Sequence, residues 1–209
     1  MTQSGWFVTF EGGEGAGKST QLEAVAALAR AAGHDVVTCR EPGGTVLGER
    51  LRAALFGLEA APHPVAELLV FGAARAQLVA EVIRPALEAG ALVLCDRFVD
   101  STVAYQHYGR GLSLDAVVTV NTAATLGLLP ALTVLLDLSP DAGRARGEAG
   151  GSDYLEREEL AFHERVREGY LTMAEAEPDR WLHLDALRPA SELTEAIWSR
   201  LSGLLTAER

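Results

Sequence analysis

The chain has 209 residues, 48% of them apolar and 22% charged, with a formal net charge of −11. That length suits one domain, residues 1–209, with room for a sizeable core. An acidic balance with no basic stripe argues against a nucleic-acid partner, and no apolar run approaches membrane-spanning length.

The first predicted strand, Trp6–Glu11, is apolar and β-rich, as a buried parallel strand should be. No leader peptide is expected ahead of it. It runs into Gly12-Gly13-Glu14-Gly15-Ala16-Gly17-Lys18-Ser19-Thr20, a full match to the phosphate-binding pattern G-x-x-x-x-G-K-[ST]. The glycines let the backbone turn its N–H groups toward an anion, and a helix from Lys18 to about Arg30 points its positive end at the same place. Of the 18 basic residues Lys18 is the one lysine. A slim ammonium can reach between the β- and γ-phosphate oxygens of ATP, where a planar guanidinium is too broad. The Ser19 hydroxyl is expected to ligate Mg²⁺.

A second strand is predicted over Asp35–Cys39, then a loop of breakers, Arg40-Glu41-Pro42-Gly43-Gly44-Thr45, and a helix from Val46 to about Phe56. A long helical stretch covers Pro64 to Glu88, with Pro85 set to kink it. The third strand, Ala91–Cys95, ends at Asp96-Arg97-Phe98. A short helix spans about Asp100–Tyr108, and Ser113 or Asp115 caps the next one, to about Leu126. Leu132–Leu138 is the fourth strand. Ser139–Ser152 reads as a loop rich in Gly, Ala and Arg, Tyr154–Ala176 as a helix, Trp181–Asp185 as the fifth strand, and Ala190 to Leu205 as a last helix. The two cysteines, Cys39 and Cys95, read as buried free thiols of a cytoplasmic protein.

Strands alternating with helices imply an α/β fold, a five-stranded parallel sheet flanked by helices on both faces. Ligands of such sheets bind at the carboxyl ends of the strands. Two of those ends carry Arg40 and Arg97 beside the phosphate loop, forks suited to the phosphate of a second substrate. Asp96 closes an apolar strand and could orient a Mg²⁺-bound water.

Phe-Glu-Gly-x-x-Gly-Ala-Gly-Lys-Ser-Thr, then Arg-Glu-Pro-Gly-Gly-Thr, then Asp-Arg-Phe-x-x-Ser-x-x-Ala-Tyr-Gln, in this order and spacing, resemble the thymidylate kinase family over nearly the whole chain. The resemblance implies the P-loop nucleoside monophosphate kinase fold, transfer of the γ-phosphoryl of ATP to dTMP, Mg²⁺, and a homodimer. It assigns Arg97 to the dTMP phosphate, with Arg40 in support. Phe71 would stack on thymine and Arg75, one turn on, would donate to its O4. Ser101, Thr102, Tyr105 and Gln106 would line the same pocket, with Tyr105 near the sugar 2′ position, and Glu14 would lie near the acceptor sugar and phosphate.

The transfer must bring two anions together, which Lys18, Mg²⁺, Arg97 and a mobile arginine would do. The segment at about 139–153 resembles the family's lid and carries Arg144 and Arg146. Because Gly15 follows Glu14, the phosphate loop supplies no arginine, as in the bacterial lid-arginine type. That type often shows Asp-Arg after the lid, where this chain has Asp153-Tyr154, so Arg144, Arg146 and Arg157 all stand as candidates, Arg146 first. A GTPase would need an Asn-Lys-x-Asp motif, for which the chain has no second lysine. A deoxynucleoside kinase would not need both Arg40 and Arg97 at an acceptor phosphate.

Overall fold

A computed structural model describes residues 5–146 and 153–206. Five parallel strands, β1 (Trp6–Glu11), β2 (Val36–Arg40), β3 (Leu92–Asp96), β4 (Leu132–Asp137) and β5 (Trp181–Asp185), form one sheet in the order β2-β3-β1-β4-β5. Register aligns the strand ends that matter. Arg40 lies beside Asp96, and Phe10 beside Asp96 on the other flank.

Alternation along β1 sorts the two faces. Val8 and Phe10 join one apolar cluster with Val25 of α1 (Lys18–Ala31) and Ile197 of α9 (Ala190–Thr206). Phe7 joins a second cluster on the opposite face with Phe98 and with Leu78 of α3 (Pro64–Leu78). A third holds Tyr105, Leu135 and, from α8 (Leu160–Ala176), Phe162 and Tyr170. The short α5 (Val99–Thr102) follows β3, α2 (Val46–Phe56) and α6 (Leu114–Thr125) pack against α3, and Ser113, rather than Asp115, caps α6 by accepting from the Ala116 N–H.

Three expectations are corrected. The stretch at Pro64–Glu88 is helical throughout, but Val79–Ile83 widens to a π-turn before the short α4 (Arg84–Glu88). The wider turn accommodates the Pro85 ring, which would otherwise meet the carbonyl four residues back. The segment after β4 is not a loop throughout: Pro140–Arg146 forms helix α7. The helix expected from Tyr154 starts at Leu160; Tyr154 is buried, and the Asp153 carboxylate instead accepts from the Leu155 and Glu156 N–H groups, closing a separate turn. Gly147, Gly150, Gly151 and Ser152 of the expected lid lie outside the described residues.

Candidate active site

The phosphate loop leaves β1 and enters α1 through Gly17, whose φ of 88° is left-handed, the region glycine tolerates. A Cβ on Gly12 would meet the Leu136 carbonyl at 2.4 Å, so the loop lies tight on β4. The Lys18 ammonium donates to the carbonyls of Gly13 (2.7 Å) and Gly12 (3.2 Å). Burial, with help from Arg97, pulls its pKa down to about 8. The Ser19 hydroxyl donates to Asp96 Oδ2 at 2.6 Å. Those two oxygens suit Mg²⁺, which is usually held by one or two protein oxygens plus substrate phosphates rather than by a cage. No cluster of three or more metal-binding His, Cys, Asp or Glu occurs among the described residues.

Beside the loop lies a pocket of about 410 Å³ that Lys18, Ser19, Thr20, Glu14, Arg40, Phe71, Arg75, Asp96, Arg97, Ser101, Thr102, Tyr105 and Gln106 all line. The residues expected from widely separated motifs therefore meet in one place. Arg97 holds a left-handed backbone (φ 69°), which costs a non-glycine residue about 1–2 kcal/mol. Its surroundings impose that conformation: the Arg97 N–H donates to the Phe10 carbonyl (3.0 Å) and the Phe98 N–H to Glu11 Oε1 (2.8 Å). The guanidinium then donates to the Gly12 carbonyl at 3.1 Å, pairs with Glu14, and lies 5.2 Å from the centre of the Tyr105 ring. Its charge, foremost, drives the Glu14 carboxyl down to about 2.

Arg75 is only 1% exposed. Its Nε and Nη2 donate to Glu41 at 2.5–3.1 Å, Nη2 also to the Phe98 carbonyl at 3.0 Å, and Nη1 to Asn121 Oδ1 at 2.6 Å. Arg40 is placed differently: half-exposed, it donates to Glu49 at 2.9 and 3.0 Å. Gln106 donates to the buried Glu67 at 2.7 Å, and Phe71 meets the edge of Phe56 at 6.5 Å.

Of the three candidate transfer arginines, Arg157 donates to the carbonyls of Leu58 and Glu59 and does not line the pocket. Arg144 donates to the Glu158 carbonyl and Arg146 to that of Ala186.

Four participants escaped the sequence. Glu41 anchors Arg75. Arg52 lines the pocket, stacks 4.7 Å from the Phe56 ring centre and donates to the Pro42 carbonyl. Tyr170 and Ser101 both bond the buried Glu11, at 3.1 and 2.5 Å, and both accept from Arg97. Glu11 had a signal: a carboxylate closing an apolar strand needs buried partners. Burial first, then the nearby Asp100, pushes its pKa up to about 8.

A family model described as thymidylate kinase matches residues 10–197. The chain is 53% identical over 199 residues to a thymidylate kinase of Deinococcus radiodurans, covering 95% of this chain and 97% of that one. It is 47% identical over 206 residues to a thymidylate kinase of Thermomicrobium roseum, covering 98% of each. The crystal structure of thymidylate kinase from Ehrlichia chaffeensis superposes with a TM-score of 0.77 at 31% identity, covering 95% of this chain and 99% of that one.

Proposed function

The chain belongs to the thymidylate kinase family, with the P-loop nucleoside monophosphate kinase fold, and phosphorylates dTMP to dTDP; we propose that ATP with Mg²⁺ is the donor and that the pocket beside the phosphate loop holds dTMP. The observation that carries this reading is Arg97. One guanidinium contacts the phosphate loop at Gly12 and Glu14 while lining the neighbouring pocket, so a cation sits where donor and acceptor phosphates converge.

Lys18 and the loop N–H groups, from Gly12 to Thr20, hold the donor phosphates. Ser19 and Asp96 would hold Mg²⁺, which when bound neutralises charge on those phosphates. Arg97 receives the acceptor phosphate, with Arg40 and Arg52 on the same wall. Phe71 offers a face for the base. Arg75 has five N–H groups, four of them engaged by Glu41, Phe98 and Asn121, and the second Nη1–H remains to donate to a base carbonyl. A donor locked in place donates to thymine O4 and rejects the amino group of cytosine. Ser101, Thr102, Tyr105 and Gln106 enclose the sugar side, together with Glu14. α7 brings the Cβ of Arg146 beside Gly15 and lets Arg144 line a cavity with Gly12, Gly13 and Glu14, as a lid would.

The outer face of α3 and α6 exposes Val65, Leu69, Leu114 and Val118, and a Cβ on Gly72 would strike Val120, so the two helices form one tight apolar wall. That wall supports a homodimer, which sedimentation at micromolar concentration would reveal. No helix among the described residues is long and apolar enough to cross a membrane.

The test is Mg²⁺-dependent ADP release with dTMP, dCMP and thymidine as separate acceptors. Turnover with dTMP well above dCMP, and none with thymidine, supports the assignments. Thymidine turnover would overturn the role of Arg97.

A further inference from the structure

The contact between the phosphate loop and α7 is made by two glycines with no side chain between them. A Cβ built on Gly15 would lie 2.6 Å from the Gly143 carbonyl oxygen, and one built on Gly143 would lie 2.5 Å from the Glu14 carbonyl oxygen. Both distances are below any real Cβ contact, and both obstacles are backbone, which cannot swing aside. Gly143 is buried in α7, the helix that carries Arg144 and Arg146. The Cβ of Arg146 itself lies 3.3 Å from the position a Gly15 Cβ would take.

We infer that Gly15 and Gly143 are positioning residues for phosphoryl transfer: their paired lack of side chains seats α7 directly on the phosphate loop and sets Arg146 over it. This rests on the reading of Arg146 as the transfer arginine. It also accounts for the missing arginine in the phosphate loop. A side chain at position 15 would occupy the space that the α7 backbone fills, so an arginine there and a seated α7 exclude each other.

Gly143→Ala is the cleaner probe, because position 143 is helical and alanine favours helix. Gly15→Ala would add the strain of φ +70°. Gly203→Ala, in α9 with nothing near its would-be Cβ, is the control for a helical glycine change. Kinetics with ATP and dTMP, dTMP titration without ATP, and Tm are measured on wild type, Gly143→Ala, Gly203→Ala, Arg146→Ala and Gly143→Ala/Arg146→Ala. The seat requires kcat to fall at least about tenfold in Gly143→Ala, with dTMP affinity within about twofold of wild type and only a small fall in Tm; this corresponds to displacing α7 from the loop rather than losing the fold. Because Gly143 acts through Arg146, the double variant should fall no further than Arg146→Ala. Wild-type kcat in Gly143→Ala overturns the inference, as do losses that multiply in the double variant or a parallel drop in dTMP affinity and Tm. Wild-type kcat in Arg146→Ala removes the transfer-arginine reading and the inference with it, whereas a lowered kcat in Arg146→Ala beside a wild-type kcat in Gly143→Ala overturns the seat alone.

Discussion

The two flanks of the phosphate loop are held by different physics. On the acceptor flank four side chains are braced by buried polar partners: Arg75 by Glu41, Asn121 and the Phe98 carbonyl, Ser101 and Tyr170 by Glu11, and Gln106 by Glu67. On the α7 flank the arginines make single bonds to backbone carbonyls of Glu158 and Ala186, and the main contact is glycine against backbone. Buried, fully bonded networks hold one geometry, whereas a few exposed bonds open at little cost. On the proposed function, the braced flank would recognise the acceptor, and the lightly held flank would close over the transfer and release its product.

The largest effect should come from cutting a brace. Glu41→Ala leaves Arg75 charged and unpaired in the interior, which costs about 3–5 kcal/mol. A fall in Tm of many degrees by differential scanning calorimetry is expected, and a fall of a degree or less would mean the pair is not a brace. Arg146→Ala, on the other flank, should leave Tm unchanged and lower kcat by roughly 10²-fold or more, the range for removing a donor aimed at transition-state charge. Steady-state kinetics and calorimetry on the same samples separate the two behaviours.

A smaller effect lies in pH dependence. Folding raises the Glu11 pKa from 4.5 to about 8, so between those values the folded state binds more protons than the unfolded one. The stability tied to Glu11 is full below pH 4.5 and is lost as pH rises through 8. Glu11→Gln cannot ionise, so its Tm relative to wild type should climb across that window. A constant difference would contradict the shift. Glu14 has the opposite sign: its pKa is lowered from 4.5 to about 2, so its contribution is present above pH 4.5 and lost as pH falls toward 2. The smallest effect is expected at Arg40. Its pair with Glu49 is about half-exposed, and such pairs contribute about 0–1 kcal/mol. Arg40→Ala should leave Tm within a degree or two, and any loss should appear in dTMP affinity.

The same contrast governs what could be seen in the sequence. The phosphate loop, the five strands and the two arginines at strand ends are local patterns, and they fall where periodicity and glycine placement put them. Glu41 stands inside a recognisable loop, yet its partner Arg75 is 34 residues away, and only the tertiary fold brings them together. Glu11 and Tyr170 are 159 residues apart and gave no mutual signal. α7 was hidden because its glycine and alanine content resembles a loop, although Gly143 is there for contact rather than for flexibility. The late start of α8 follows from Tyr154, whose burial and the neighbouring Asp153 turn override a run of helix-forming residues.

The division of labour is tested most directly by titrating dTMP into wild type, Arg97→Ala and Arg146→Ala by calorimetry. Arg97→Ala should lose dTMP affinity by about tenfold or more, the scale of a charged hydrogen bond, while Arg146→Ala should bind dTMP as wild type does. Wild-type dTMP affinity in Arg97→Ala, or a comparable loss in Arg146→Ala, would contradict the assignment of recognition to one flank and transfer to the other.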